Sequence, residues 1–337
     1  MTDESPIFIV GMPRSGTTLL RTALTSHSAI RIGPETHFLN YWLPRHGGRI
    51  DSRQDFERFW SAFRDSRQFD ELGLDARSMH RLLTAGGTPE FSTVLQSLLS
   101  EHARRHGKRR WGEKTPAHHE HMDTLFDWFP NARVLYLVRD PRAVTASLMD
   151  VPWAESRVEV HAGRWRESIR ILQRWEADPR VCVVYYEALV TDAEATLHTI
   201  CDFLDEPFEA AMLSRRHFAL NEIGPDGWRG RHHRRAMGPI STASLTKWRG
   251  RLSHLQVATV EYLTRRGMRR HGYPMLTSGP GAVAWSALMI HRVADRISRE
   301  VNRVRRGRAG RGAVGPAPGE ADSAANGAVE ERRRRVS

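Results

Sequence analysis

Only two cysteines, Cys182 and Cys201, occur in the 337 residues. That is too few for a disulfide framework, and it makes a reducing compartment, the cytoplasm, the expected address. Long apolar runs are also missing: no segment approaches the ~18 uninterrupted apolar residues of a membrane span. The first apolar stretch, Ile7 to Val10, is too short for a signal peptide and has no basic lead-in. No internal repeat is present. Acidic residues are in deficit, 39 against 51 Lys and Arg, for a net charge of +12. Half of that excess lies between Arg292 and Ser337, where twelve Arg face six Asp and Glu. Charge alone does not choose between nucleic acid, an acidic membrane and a small anion as ligand.

What is present is an alternation of apolar runs and helical stretches. "PIFIV" (6–10), "RVLYLV" (133–138) and "RVCVVYY" (180–186) are short, nearly continuous and β-branched, as strands buried on both faces are. Helical patterns fit at 17–26, 91–106, 117–128, 141–150, 158–176 and 192–204, the first with a threonine as its expected N-cap. The alternation predicts an α/β, P-loop-like three-layer fold with a central parallel sheet flanked by helices. Ligands in such folds sit beyond the C-terminal strand ends.

The first strand runs into Gly11-Met-Pro-Arg-Ser-Gly16-Thr-Thr18, which has the Gly-x4-Gly spacing of a phosphate loop, with Thr17 where a nucleotide triphosphatase carries lysine. An anion still fits. Glycines admit close backbone approach, and the following helix start offers N–H groups and a positive dipole end. Ser15, Gly16, Thr17 and Thr18 add donors, and Arg14 a charged fork. Asp140 stands where a magnesium-binding acid would be, but between Arg139 and Pro141-Arg142 its setting suits an anion better. Arg139 at a strand end, with Ser147 in the next helix, would hold a second phosphate. Two anion sites at two strand ends suggest a nucleotide phosphorylated at separate positions.

These motifs resemble a known family. "PRSGTTLL" (13–20) with "LVRDPRAVTAS" (137–147) is similar to the paired signature of sulfotransferases that use 3′-phosphoadenosine-5′-phosphosulfate (PAPS). "GPETHFL" (33–39) resembles the segment carrying the catalytic carboxylate in tyrosylprotein sulfotransferases and their bacterial relatives. "WGEKTP" (111–116) resembles the one carrying a lysine beside the transferred group. "YYEALV" (185–190) and "SLTKW" (244–248) resemble later segments that reach the nucleotide. The resemblance covers about residues 5–275. It implies PAPS as donor, Glu35 as general base and Lys114 stabilising the leaving group. Arg14, Ser15, Gly16, Thr17 and Thr18 would hold the 5′-phosphate, and Arg139 and Ser147 the 3′-phosphate, with Tyr186 and Lys247 contributing. The scheme requires no metal.

Two departures bear on the acceptor. His37 stands where an arginine commonly follows the Glu-Thr pair in the tyrosylprotein enzymes, and their N-terminal membrane anchor is not found. A carbohydrate, lipid or metabolite hydroxyl is therefore as admissible as protein tyrosine. Glu35 also fits a turn or cap in "GPET".

The remaining constellations carry less. His118-His119-Glu120-His121 lacks the spacing of an HExxH metal site. "RGRHHRR" (229–235) lies in a polar loop over Asn221–Ile240 and belongs to no nucleic-acid-binding module, so no nucleic-acid partner is expected. The expected organisation is a sulfotransferase domain over 1–276, a basic amphipathic helix over 282–306 and a disordered basic tail over 307–337. That helix suits either peripheral membrane contact or packing on its own domain. The competing functional readings are a P-loop kinase or nucleotidase and a non-enzymatic binder driven by the basic tail.

Overall fold

Nearly continuous apolar runs leave no polar face on their strands, so the sheet they build must be covered on both sides. The computed structural model, which describes residues 5–151, 154–214 and 242–279, contains that sheet. Its strands are β1 (Ile7–Gly11), β2 (Ile30–Gly33), β3 (Arg110–Lys114), β4 (Arg133–Val138) and β5 (Val181–Tyr185), all parallel, in the order β2-β3-β1-β4-β5. The register aligns Ile9 with Lys114 and Leu135, and Gly33 with Glu113. Hence every strand delivers its following loop to the same edge.

Contacts divide the chain into two compact units, Met1–Arg139 with Glu167–Thr246, and Asp140–Arg166 with Lys247–Ser337. The first contains the sheet. On one face Ile7, Ile9, Leu135, Leu137 and Val184 pack against Leu20 and Leu24 of α1 (Thr17–Thr25) and against Leu197 and Ile200 of the helix Ala193–Phe203. On the other face Phe8 meets Trp111 edge-on at 6.1 Å and Phe129 at 5.6 Å. Each such side chain contributes ~1.5–3 kcal/mol by leaving water. Between β2 and β3 the helices Arg53–Arg64 and Phe91–Arg105 supply Phe59, Phe63 and Phe91, whose rings surround the fully buried Phe38 at 5.8–5.9 Å.

In the second unit the helix Pro141–Met149 packs Ala143 and Ala146 with Trp248, Leu252, Val257 and Val260. The helix His254–Arg270 begins with a capping box between Ser253 and Gln256. Arg142 is buried here. It pairs with Asp140 at 2.6 Å and Glu261 at 2.7 Å, and its guanidinium lies over Trp248.

Three local expectations change. The α1 cap is Gly16, in a left-handed conformation and without a side-chain bond, so Thr17 is the first helical residue. The segment expected as one helix over 117–128 is a 3₁₀ helix, Pro116–His121, followed by an α-helix, Met122–Trp128, because Pro116 fixes the start. β5 stops at Tyr185, and Tyr186 opens a short helix. The loop over 221–240, with "RGRHHRR", and the segments 282–306 and 307–337 lie outside the described residues.

Candidate active site

Five parallel strands present five C-terminal ends, and the residues singled out in the first unit occur one group per end. In spatial order these are Glu35 after β2, Lys114 at the end of β3, the loop Gly11–Gly16 after β1, Arg139 after β4 and Tyr186 after β5. Ser147, in the helix Pro141–Met149, and the exposed Lys247, which opens a 3₁₀ helix, belong to the second unit.

The loop is shaped by its backbone. Gly11 has φ 132°, and a Cβ there would lie 2.5 Å from the Leu137 carbonyl oxygen. Arg14 is left-handed at φ 72°, and Ser15 N–H closes the turn on Met12 O at 3.2 Å. Gly16, at φ 100°, lies under the Tyr186 ring, which a Cβ would strike. Only glycine meets both conditions at little cost. The Ser15 hydroxyl is fully buried and has no hydrogen-bond partner among the described residues. The first-turn N–H groups of α1 have no carbonyl four residues back inside the helix. A buried orphan hydroxyl beside a glycine-shaped turn and a helix start fits a phosphate group.

One side of this loop is braced. Arg139 donates from Nη1 to Arg14 O at 2.9 Å and from Nη2 to Ser244 O at 3.0 Å, while its guanidinium stacks 4.0 Å from the Tyr186 ring. The Tyr186 and Ser244 hydroxyls share a 2.6 Å hydrogen bond. Arg139 thus fixes the loop through carbonyl oxygens. Ser244, inside "SLTKW", is a contact that sequence reasoning passed over in favour of Lys247.

The other side is an ion pair. Lys114 Nζ donates to Glu35 Oε1. Lys114 is buried, whereas a third of the Glu35 side chain is exposed. Burial would raise the Glu35 carboxyl, but the Lys114 charge and the His37 ring 3.5 Å away outweigh it and hold the group well below the usual carboxylate range. Burial lowers the Lys114 amine, helped by the Arg21 guanidinium and opposed by Glu35. His37 is left-handed, at φ 52°, between the buried Thr36 and Phe38. That conformation costs on the order of 1 kcal/mol.

The histidine cluster is spent on structure. His118 lies 3.1 Å from the buried Glu113, and His119 Nδ1 contacts Pro116 O at 2.9 Å. Among the described residues no group of three or more His, Cys, Asp or Glu is arranged to hold a metal ion, and no helix is long and apolar enough to cross a membrane.

With this geometry in place, comparison with known proteins is decisive. A family model described as "Sulfotransferase family" matches residues 6–210. The chain belongs to the sulfotransferase family. Protein-tyrosine sulfotransferase A of Caenorhabditis elegans is 29% identical over 278 residues, 79% of this chain and 67% of the worm protein. The protein-tyrosine sulfotransferase of Drosophila melanogaster is 28% identical over 73% of this chain, which spans only 47% of the fly protein. Among solved structures, the sulfotransferase domain from the Synechococcus PCC 7002 olefin synthase superposes with a TM-score of 0.54 at 25% identity, covering 79% of this chain and 96% of that domain. As a sulfotransferase the chain moves a sulfuryl group from PAPS to an acceptor hydroxyl. The kinase and tail-driven readings gain no support from the match.

Proposed function

We propose that Glu35 and Lys114 carry the transfer. The acceptor oxygen forms a bond to sulfur as the bond from sulfur to the bridging phosphate oxygen breaks. Glu35 takes the acceptor proton, and the spent bisphosphate nucleotide leaves with the negative charge. The supporting observation is the Glu35–Lys114 contact at neighbouring strand ends, with the phosphate loop on the strand next to Lys114. Strand spacing of ~4.8 Å sets Lys114's strand beside the loop's and Glu35's about 10 Å from it. Lys114 then exchanges Glu35 for the bridging oxygen as charge develops there, in the manner of other preorganised cations. Ser15, Gly16, Thr17, Thr18 and Arg14 cradle the 5′-phosphate. Arg139 and Tyr186 serve the 3′-phosphate.

The first acceptor to test is a peptide tyrosine, the group named for the relatives. A second reading, a sugar, lipid or metabolite hydroxyl, is favoured by His37 standing where the tyrosylprotein enzymes commonly carry arginine. Incubation with ³⁵S-labelled PAPS and both acceptor sets decides between them. Failure of the pure protein to bind adenosine 3′,5′-bisphosphate in calorimetry would sink the whole assignment.

A cytoplasmic address belongs to the same proposal and is supported by the free thiols of Cys182 and Cys201. Cell fractionation tests it. Peripheral membrane contact through 282–306 is a further part, tested by sedimentation with anionic vesicles.

A further inference from the structure

One buried carboxylate takes no part in the transfer as described. Glu113, on β3, is fully buried, a costly place for a charge unless it is paired and hydrogen-bonded. Its Oε1 accepts from Thr36 N–H at 3.0 Å, from the Thr36 hydroxyl at 2.6 Å and from the Thr115 hydroxyl. Its Oε2 lies 3.1 Å from His118 Nδ1, an ion-pair distance, and among the described residues neither atom makes a hydrogen bond. Across the same ring, His118 Nε2 accepts from Leu39 N–H at 3.2 Å, which puts the ring proton on Nδ1, toward Glu113. Thr36 Oγ1 in turn accepts from Phe38 N–H at 3.1 Å.

These bonds link three pieces of chain. Glu113 immediately precedes Lys114, Thr36 immediately follows Glu35, and Leu39 lies in the first turn of the π-helical segment Phe38–Trp42. Thr36 is tied to Glu113 at the β3 end and Leu39 to His118 in the 3₁₀ helix Pro116–His121, so hydrogen bonds on both sides flank the left-handed His37. Because Nε2 is taken by a backbone N–H, the ring cannot pass a proton outward, so the Glu113–His118 pair is not an acid–base relay.

We propose that Glu113, through Thr36 and His118, is the positioning residue that holds Glu35 in register with Lys114. The proposal rests on the roles assigned to Glu35 and Lys114 above. Substituting the residue distinguishes positioning from simple charge. Removing a negative charge near Glu35 acts electrostatically to lower its titration midpoint. Releasing Glu35 from Lys114 does the opposite, since Lys114 is the main charge holding that carboxyl low, with His37 the other neighbour and Arg21 beyond Lys114.

The experiment uses full-length protein with ¹³C-labelled glutamate and follows the Glu35 carboxyl, assigned by its loss in Glu35→Gln, through a pH titration. Calorimetry with adenosine 3′,5′-bisphosphate and ³⁵S transfer from PAPS to the best acceptor found are measured alongside. In Glu113→Gln the Glu35 midpoint should rise toward the ordinary carboxylate value. Transfer kcat should fall ~10–100-fold, while bisphosphate affinity and the donor KM stay within about threefold. Thr36→Val carries the same expectation should the buried glutamine not fold, and Thr36→Ser should restore wild-type values. A folded Glu113→Gln, or Thr36→Val where that variant is read instead, with an unchanged or lowered Glu35 midpoint and kcat within twofold overturns the proposal. If the midpoint rises as expected but Glu35→Gln still turns over, the positioning stands and the catalytic assignment of Glu35 falls.

Discussion

The phosphate loop and the Glu35–Lys114 pair occupy neighbouring strand ends but are built on opposite principles. The loop is six consecutive residues, Gly11–Gly16, whose shape comes from the backbone, with left-handed Gly11, Arg14 and Gly16. Its supports, Arg139 and Ser244, act through main-chain carbonyls. The pair consists of two side chains from segments far apart in sequence, brought together by the parallel register of β2 and β3 and held by further side chains. A backbone site is robust to most side-chain changes and vulnerable at its glycines. A side-chain site is vulnerable at every member.

Substitutions can break the two halves separately, and the largest effect should come from Glu35→Gln. Transfer should fall by ~10²–10⁴, the usual weight of a general base, with bisphosphate affinity nearly unchanged in calorimetry. Turnover at the wild-type rate would remove Glu35 from the chemistry. Gly16→Ala attacks the other half. Bisphosphate affinity should drop at least ~10-fold, while the Glu35 titration midpoint stays where it is in the wild type. A Glu35 midpoint that moved would mean the halves are not independent.

Lys114→Met sharpens the electrostatic side. In the native protein the Glu35 carboxyl is depressed, so its contribution to stability is present above the unfolded carboxylate value and is lost as pH falls through the lower folded value. Without the Lys114 charge the midpoint should rise, and that acid-dependent contribution should shrink in urea unfolding followed between about pH 5 and 2. The neutral-pH stability should fall, because removing one partner of the pair leaves the Glu35 carboxylate without its counter-charge. The smallest effect belongs to Tyr186→Phe. It removes one hydrogen bond to Ser244, worth ~1 kcal/mol, and should weaken bisphosphate binding by no more than about fivefold.

The same contrast governs what the sequence made visible. The loop could be read directly because its signal is contiguous, and strands such as "RVLYLV" because continuous apolar runs buried on both faces are distinctive. β2, with four residues, was too short to stand out. The aromatic core around Phe38 depends on helices whose partners lie well along the chain. Glu35 and Lys114 were found through family resemblance; nothing local announced their contact, which follows from strand register. Glu113 looked like one more charge in "WGEKTP", and His118 drew attention only as a possible metal ligand. Their shared role depends on Thr36 and Leu39, which no spacing rule links to them.

The Tyr186 ring over Gly16 also constrains how this chain can drift. The ring is pinned by Ser244 at its hydroxyl and by Arg139 on its face, so it cannot swing aside for a methyl group at position 16. A descendant that acquired alanine there would need a smaller residue at 186 in the same step, and would still bear the left-handed strain. Either change alone passes through a weakened intermediate. Two positions distant in the chain are thereby expected to be inherited as a unit.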